Sequence, residues 1–432
     1  MSVSPAIAEA TFSSRARRLQ LLGIFSGLTA GAWLGAAEAP TKLVTLGLSP
    51  MVISLVMVAG VFLARWSLPA LILGTSSVRA DAGRAPHLIL WAVLAGCLWA
   101  VANTLTVYAI RDIGLSIAFP LWNSNSLLGI LWGFLFFNEL RGAGISRWLG
   151  VLGGTLAMCA GAAILAIASA GAHAAGASSM HGVLAALGAG LLWGTMYIPY
   201  RKAYLSGMNP LSFVTFFTIG EVGMMCALSL GTLGAPELLG ELHAARAVIF
   251  WLMLGGFIWV IGDLFQQYAA KYIGISRGIP LSNTNQLWGL LWGVLVFGEL
   301  HGRSATTYGQ VIGGSMLMVV GAGAIVFSSA TKKENSQWRA AAKREAVRYG
   351  LSTEFVEARL DGQRSPEEPA PSRSLIDWLF VALASGVFVY FASIAEIPRI
   401  GANWGPAALL AALSLVLLGF CGVYLWQVTR FQ

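Results

Sequence analysis

The sequence predicts an all-α integral membrane protein: a ten-helix bundle made from two five-helix repeats in inverted topology (5+5), plus a C-terminal transmembrane hairpin, about 12 helices in all. Three observations predict it. Residues 21–170 reappear at 181–330, and one offset of 160 pairs Trp33 with Trp193, Trp91 with Trp251, Pro120 with Pro280 and Glu139 with Glu299. The chain is 57% hydrophobic and 11% charged, with a mean hydropathy of +0.72, far more apolar than a domain dissolved in water. Its basic residues also divide unevenly between alternate loops, as they do in proteins held at a fixed orientation in a bilayer.

Apolar runs of roughly 20 residues cross the hydrocarbon core as helices, because a helix satisfies its own backbone hydrogen bonds there. Ten such runs lie in the duplicated part, at 19–37, 44–64, 88–110, 114–138, 147–169, 181–204, 210–231, 247–270, 274–298 and 306–328, and two follow at 375–396 and 405–428. The chain then divides into an N-terminal tail (1–18), two repeats (19–170 and 171–330), a charged tether (331–373) and the hairpin (374–432). The tether begins with helix formers, expected as a solvated helix, with the anionic inner leaflet as an alternative seat through Lys332, Lys333, Arg339, Lys343, Arg344 and Arg348, and ends in the proline-rich stretch 364–373. The hairpin has no counterpart in the repeat, so it is expected outside the bundle, where a contact between copies in a homo-oligomer is open to it. Arg15 to Arg18 and the small residues around Ala37 mimic a cleaved secretory signal. Trp33 keeps repeat register with Trp193, which favours an uncleaved first helix.

With both termini cytoplasmic, the inner side holds Arg65, Arg79, Arg84, Arg141, Arg147, Arg201, Lys202, Lys271, Arg277 and the tract from Lys332 to Arg373. The outer side keeps Lys42, Arg111, Arg246, Arg303 and Arg399. This asymmetry supports a multi-pass protein with an even number of spans, and an odd number of spans per repeat turns the second copy upside down. The net charge of +8 then reflects topology, not nucleic-acid binding, since no basic stripe interleaves with aromatics. Cys97, Cys159, Cys226 and Cys421 lie within apolar runs without metal or disulfide spacing, and no cofactor or metal is expected. Without a metal cluster, a nucleophile–base pair or a Gly-rich phosphate loop, an enzyme is not expected either.

Small residues at every fourth position, Gly23, Gly27, Gly31 and Gly35, and again Gly182, Ala186, Gly190 and Gly194, let helix backbones approach closely. Polar side chains within the runs are the candidate site, since each costs free energy in a bilayer unless it has a partner or faces a wet cavity. Asn123 and Asn125 on the fourth run match Asn283 and Asn285 on the ninth, where Gln286 follows. Trp132 and Trp292 lie seven residues beyond Asn125 and Asn285, on the same helix face. Amides beside indoles suit an uncharged polyol, the amides exchanging hydrogen bonds while the ring covers a C–H face. The same residues could also staple helices and fill space. Pro120 and Pro280 should kink or break their helices just ahead of the amides. Trp99 with Asn103, and Trp259 with Asp263, Gln266 and Gln267, form a second matched set able to face the same cavity.

Glu221 in the seventh run and Asp263 in the eighth are candidate proton carriers or buried staples. Glu139 and Glu299 are expected as helix-end anchors near Arg141 and Arg303. A duplication of apolar segments is itself a sign of a membrane transporter, because two related bundles can enclose one site and rock about it.

The segment Ile273-Gly-Ile-Ser-Arg-Gly-Ile-Pro-Leu-Ser-Asn-Thr-Asn-Gln-Leu-Trp-Gly, after a Trp-bearing third span and before a Gly-Glu, resembles the drug/metabolite transporter superfamily. Within it, the segment looks most like the glucose/ribose porter and rhamnose–proton symporter branch. The resemblance covers about residues 20–330. It implies a sugar carrier of the inner membrane with its fourth and ninth helices near the site. The tether, the hairpin and Asp263, where the family more often shows an amide, depart from that pattern. The leading expectation is a proton-coupled carrier for a monosaccharide. A metabolite exporter for amino acids or drugs, and a non-transporting scaffold or sensor, stand as alternatives.

Overall fold

The computed structural model describes residues 5–37, 39–40, 48–113, 118, 121–170, 180–298, 300–365, 372–396 and 401–432. In the first repeat the helices are α1 (Pro5–Ala36), α2 (Pro50–Ile72), the short α3 (Thr75–Arg84), α4 (Pro86–Ile113), α5 (Asn125–Phe137) and α6 (Ile145–Ala170). The second has α7 (Met180–Leu205), α8 (Pro210–Leu233), α9 (Ala235–Ala244), α10 (Ile249–Ile273), α11 (Ile275–Ser282), α12 (Asn285–Leu291) and α13 (Ala305–Phe327). Beyond them come α14 (Lys332–Tyr349), α15 (Thr353–Leu360), α16 (Leu375–Ser393) and α17 (Trp404–Thr429). Among the described residues ten of these helices are long and apolar enough to cross a membrane. The protein is therefore a multi-pass, all-helical membrane protein. The other two expected runs, the fourth and ninth, are broken into shorter pieces.

The duplication extends to helix starts and crossings. Ser49 caps α2 ahead of Pro50, and Asn209 caps α8 ahead of Pro210, each side chain accepting from a backbone N–H in the first turn. Gly60 of α2 meets the Met253 carbonyl of α10, while Gly256 meets that of Met57. The positions 160 residues away make the matching crossing: Gly220 of α8 against Val93, and Gly96 of α4 against Phe217. Gly154 and Gly161 of α6 lie against Gly321 and Gly314 of α13 in the same reciprocal way. At each crossing a Cβ would collide with backbone, so glycine here sets the interhelical distance. The glycines of α1 press on the α10–α12 segment, Gly31 on Thr284 and Gly35 on Asn285; on α7, Gly190 presses on Ser124 and Gly194 on Asn125.

The hairpin packs on one flank. The Trp33 indole of α1 donates to the Ser414 carbonyl of α17 at 3.0 Å, and Trp66 of α2 meets Phe380 of α16 at 5.4 Å. Most of the outward surface of α16 and α17 is apolar and exposed, as a lipid-facing hairpin requires.

Two expectations are corrected. The second run does not stop at residue 64: α2 continues to Ile72, so Arg65 is buried inside a span rather than placed in a loop. Arg201, Lys202, Lys271 and Arg277, also assigned to the inner side, are buried in α7, α10 and α11. For Arg65, Arg201, Lys202 and Arg277 a carboxylate partner offsets the cost of burial. The start of the tether is not a solvated helix. Trp338, Ala341, Ala342 and Ala346 form a buried apolar stripe on α14; the alanines pack, with Phe355 and Val356 of α15, against Tyr200, Ala203 and Tyr204 of α7, and Trp338 lies against Arg201.

Candidate functional site

The broken helices place the amides. In the ninth run Pro280 lacks the N–H that would bond the carbonyl four residues back, and α11 ends two residues later at Ser282. A turn at 283–284 follows, and α12 starts at Asn285; in the first repeat a turn at 123–124 precedes α5, which starts at Asn125. The Thr284 hydroxyl donates to the Leu281 carbonyl at 2.9 Å, and the matching Ser124 hydroxyl to that of Leu121 at 2.7 Å. Pro120 lies outside the described residues.

The two turns face each other. Asn283 Nδ2 donates to Ser126 Oγ at 2.6 Å, and Ser126 in turn donates to Asn125 Oδ1 at 3.1 Å, so one hydrogen-bond chain joins the repeats. Asn123, Ser126, Asn283, Gln286 and Pro280 line a cavity of about 10 Å³, with Met158 and Met318 among its apolar walls. That is room for about one water molecule and less than a monosaccharide needs, so the turns are packed shut. Asn123 Nδ2, Asn285 Oδ1 and the indole N–H groups of Trp132 and Trp292 are buried without a hydrogen-bond partner among the described residues. In a bilayer such atoms carry a desolvation cost that a polar solute would relieve.

Trp132 and Trp292 do not line this cavity. Trp132 stacks on Phe136 at 5.5 Å, and Trp292 opens a π-helical turn over Trp292–Val296. That turn leaves the Val296 carbonyl to accept from Asn403 N at the head of α17. In the second matched set Trp99 and Trp259 meet at 5.3 Å, and Asn103 Nδ2 donates to Ser54 Oγ at 3.3 Å. Gln267 is fully buried between Tyr204, whose hydroxyl donates to it, and Asp263, to which its Nε2 donates at 3.0 Å.

The acidic candidates converge on the arginine assigned to a loop. Arg65 Nη1 lies 2.7 Å from Glu221 Oε2 and Nη2 lies 2.6 Å from Asp263 Oδ2, joining α2, α8 and α10; the three side chains are 0–1% exposed. Phe217 and Trp259 place their rings 4.4 and 5.1 Å from the guanidinium, which shuts out water. One cation between two carboxylates carries a net charge of −1 when all three are ionised, and a single proton brings it to zero.

A second buried charge network lies at the end of the bundle covered by α14. Glu139 ends the fourth run, but its partner is Arg201 at 2.7 Å, not Arg141; Glu299 lies outside the described residues. Glu139 also accepts from the N–H groups of Ile275 and Ser276 at 3.1 and 2.8 Å, capping α11. Gly274, at φ +82°, leaves space for this carboxylate. Beside it Arg277 forms a two-pronged pair with Glu334 of α14 at 2.6 and 2.9 Å, and Leu140 N donates to the same carboxylate at 2.9 Å. Arg201 lies 4.7 Å over the Trp338 ring.

Comparison with known proteins places part of the chain. Residues 184–356 match the model of a family described as sugar transport protein. A candidate sugar uptake protein of Lactobacillus johnsonii is 34% identical over 115 residues, 25% of this chain and 38% of the relative. One from Streptococcus pyogenes serotype M1 is 32% identical over 161 residues, 37% of this chain and 50% of the relative. One from Listeria monocytogenes is 34% identical over 104 residues, 24% of this chain and 32% of the relative. The chain thus spans half or less of the length of the curated relatives it matches. The matched family region runs from α7 to α15 and so includes Asn283, Asn285, Asp263, Glu221 and the helix that carries Glu334.

Proposed function

We propose that this chain is a secondary carrier that moves a monosaccharide of the glucose, ribose or rhamnose type across the plasma membrane by alternating access, with a proton. Both termini are cytoplasmic in this reading, and the second repeat is inverted relative to the first. The observation that carries it is the meeting of two repeat-related broken helices at a cluster of amides with unsatisfied polar atoms. Parting the turns breaks the Asn283–Ser126 bond and exposes Asn123, Asn285 and Gln286 to one solute; sugar hydroxyls replace the lost partner. The Arg65 cluster supplies the coupling, taking up one proton on Glu221 or Asp263. The sugar uptake relatives and the match to a sugar transport family support the choice of solute.

A thermal-shift screen against neutral sugars, amino acids and nucleosides tests this reading. A monosaccharide is expected to stabilise the protein. Asn123→Ala and Asn285→Ala should each weaken its binding about fivefold, the worth of one hydrogen bond. Both amide atoms lack partners in the closed form, so the unliganded melting temperature should stay nearly constant. Stabilisation by amino acids alone, or unchanged sugar affinity in both variants, would contradict the assignment.

A further inference from the structure

At the end of the bundle where α2 and α17 finish, a groove of about 850 Å³ opens beside the turn that follows α15. Among the described residues its lining includes the guanidinium groups of Arg15, Arg373 and Arg430, with Arg364 beside them, and no Asp or Glu side chain. Arg15 Nε donates to the Asp361 carbonyl and Arg373 Nε to the Leu71 carbonyl, each at 2.8 Å. A carbonyl orients a guanidinium without neutralising it. Arg430 lies 4.6 Å over the Trp426 ring, and Trp426 and Val428 form an apolar wall. That wall continues onto exposed apolar surface: Trp426 itself is 44% exposed and Leu71 on the facing helix is 41% exposed.

A concave cluster of the arginines Arg15, Arg373 and Arg430 at the ends of membrane spans, open along one side to apolar surface, matches an amphiphile whose anionic head carries phosphoryl oxygens. Guanidinium groups bind such oxygens in pairs, and a tryptophan at a span end suits the headgroup layer. We propose that this groove binds the headgroup of an anionic phospholipid, seating the extra hairpin against α1 and α2. The proposal stands apart from the carrier reading and uses none of its residues. Glu367 and Glu368, between Arg364 and Arg373 in the sequence, lie outside the described residues.

The test is a titration of the purified full-length chain, in a neutral detergent, with short-chain phosphatidylglycerol, read by thermal shift. Short-chain phosphatidylcholine and free glycerol phosphate serve as controls, and Glu367→Gln/Glu368→Gln is run in parallel. Phosphatidylglycerol should stabilise the protein, phosphatidylcholine and glycerol phosphate should not, and Arg373→Gln and Arg430→Gln should each weaken the effect about fivefold. An equal shift with phosphatidylcholine or glycerol phosphate would overturn the proposal. So would unchanged affinity in both arginine variants, or no phosphatidylglycerol effect in either the native chain or the Glu367/Glu368 variant.

Discussion

Arg65→Met is expected to be among the most damaging single changes in the chain. It leaves Glu221 and Asp263 facing each other in a site with 0–1% exposure, and loss of one partner from a buried ion cluster typically costs about 3–5 kcal/mol. The variant should be recovered at much lower yield and melt well below the native protein in detergent. The triple variant Arg65→Met/Glu221→Gln/Asp263→Asn removes all three charges and should regain most of that stability, because no ion is then buried alone. Uptake separates coupling from stapling. A folded triple variant should equilibrate sugar without following a pH gradient, whereas retained gradient-driven accumulation would reduce the cluster to a structural staple.

Arg277→Met should be comparably severe and act at a different place. It strands Glu334, whose side chain is 0% exposed and whose remaining donor among the described residues is Leu140 N, again at a cost of about 3–5 kcal/mol. Because Glu334 sits in the first turn of α14, the expected consequence is release of that helix, read as new protease cleavage between residues 331 and 350. Adding Glu334→Leu to Arg277→Met should restore protection. The native pair should resist high salt, since screening reaches buried pairs far less than exposed ones. Unchanged cleavage in Arg277→Met would mean that the apolar stripe of Trp338, Ala341, Ala342 and Ala346 holds α14 without the ion pair.

The legible part of the fold came from periodic, local signals. Apolar runs, the 160-residue offset and glycines at every fourth position place the helices and mark their close faces, and Pro280 lies two residues before the end of α11. The matched asparagines pointed to a place where the broken helices of both repeats meet. What was hidden depended on pairing across long separations. Arg65 ended an apolar window and so read as a loop residue, although its partners lie 156 and 198 residues away. Glu139 read toward nearby Arg141, while its partner is Arg201 on another helix. The low apolar content of α14 concealed a stripe that needs only Trp338 and three alanines to pack, because alanine on a close-fitting helix costs little side-chain entropy. The size of the cavity was also beyond reach, since side-chain packing across two turns decides it.

Sugar uptake into proteoliposomes with an imposed pH gradient tests the central claim most directly. The native chain should accumulate a labelled monosaccharide above its external concentration while the gradient lasts, and Asn123→Ala/Asn285→Ala should fall well below it at the same sugar concentration. No sugar entry beyond that of empty vesicles, in liposomes holding folded native protein, would contradict the account.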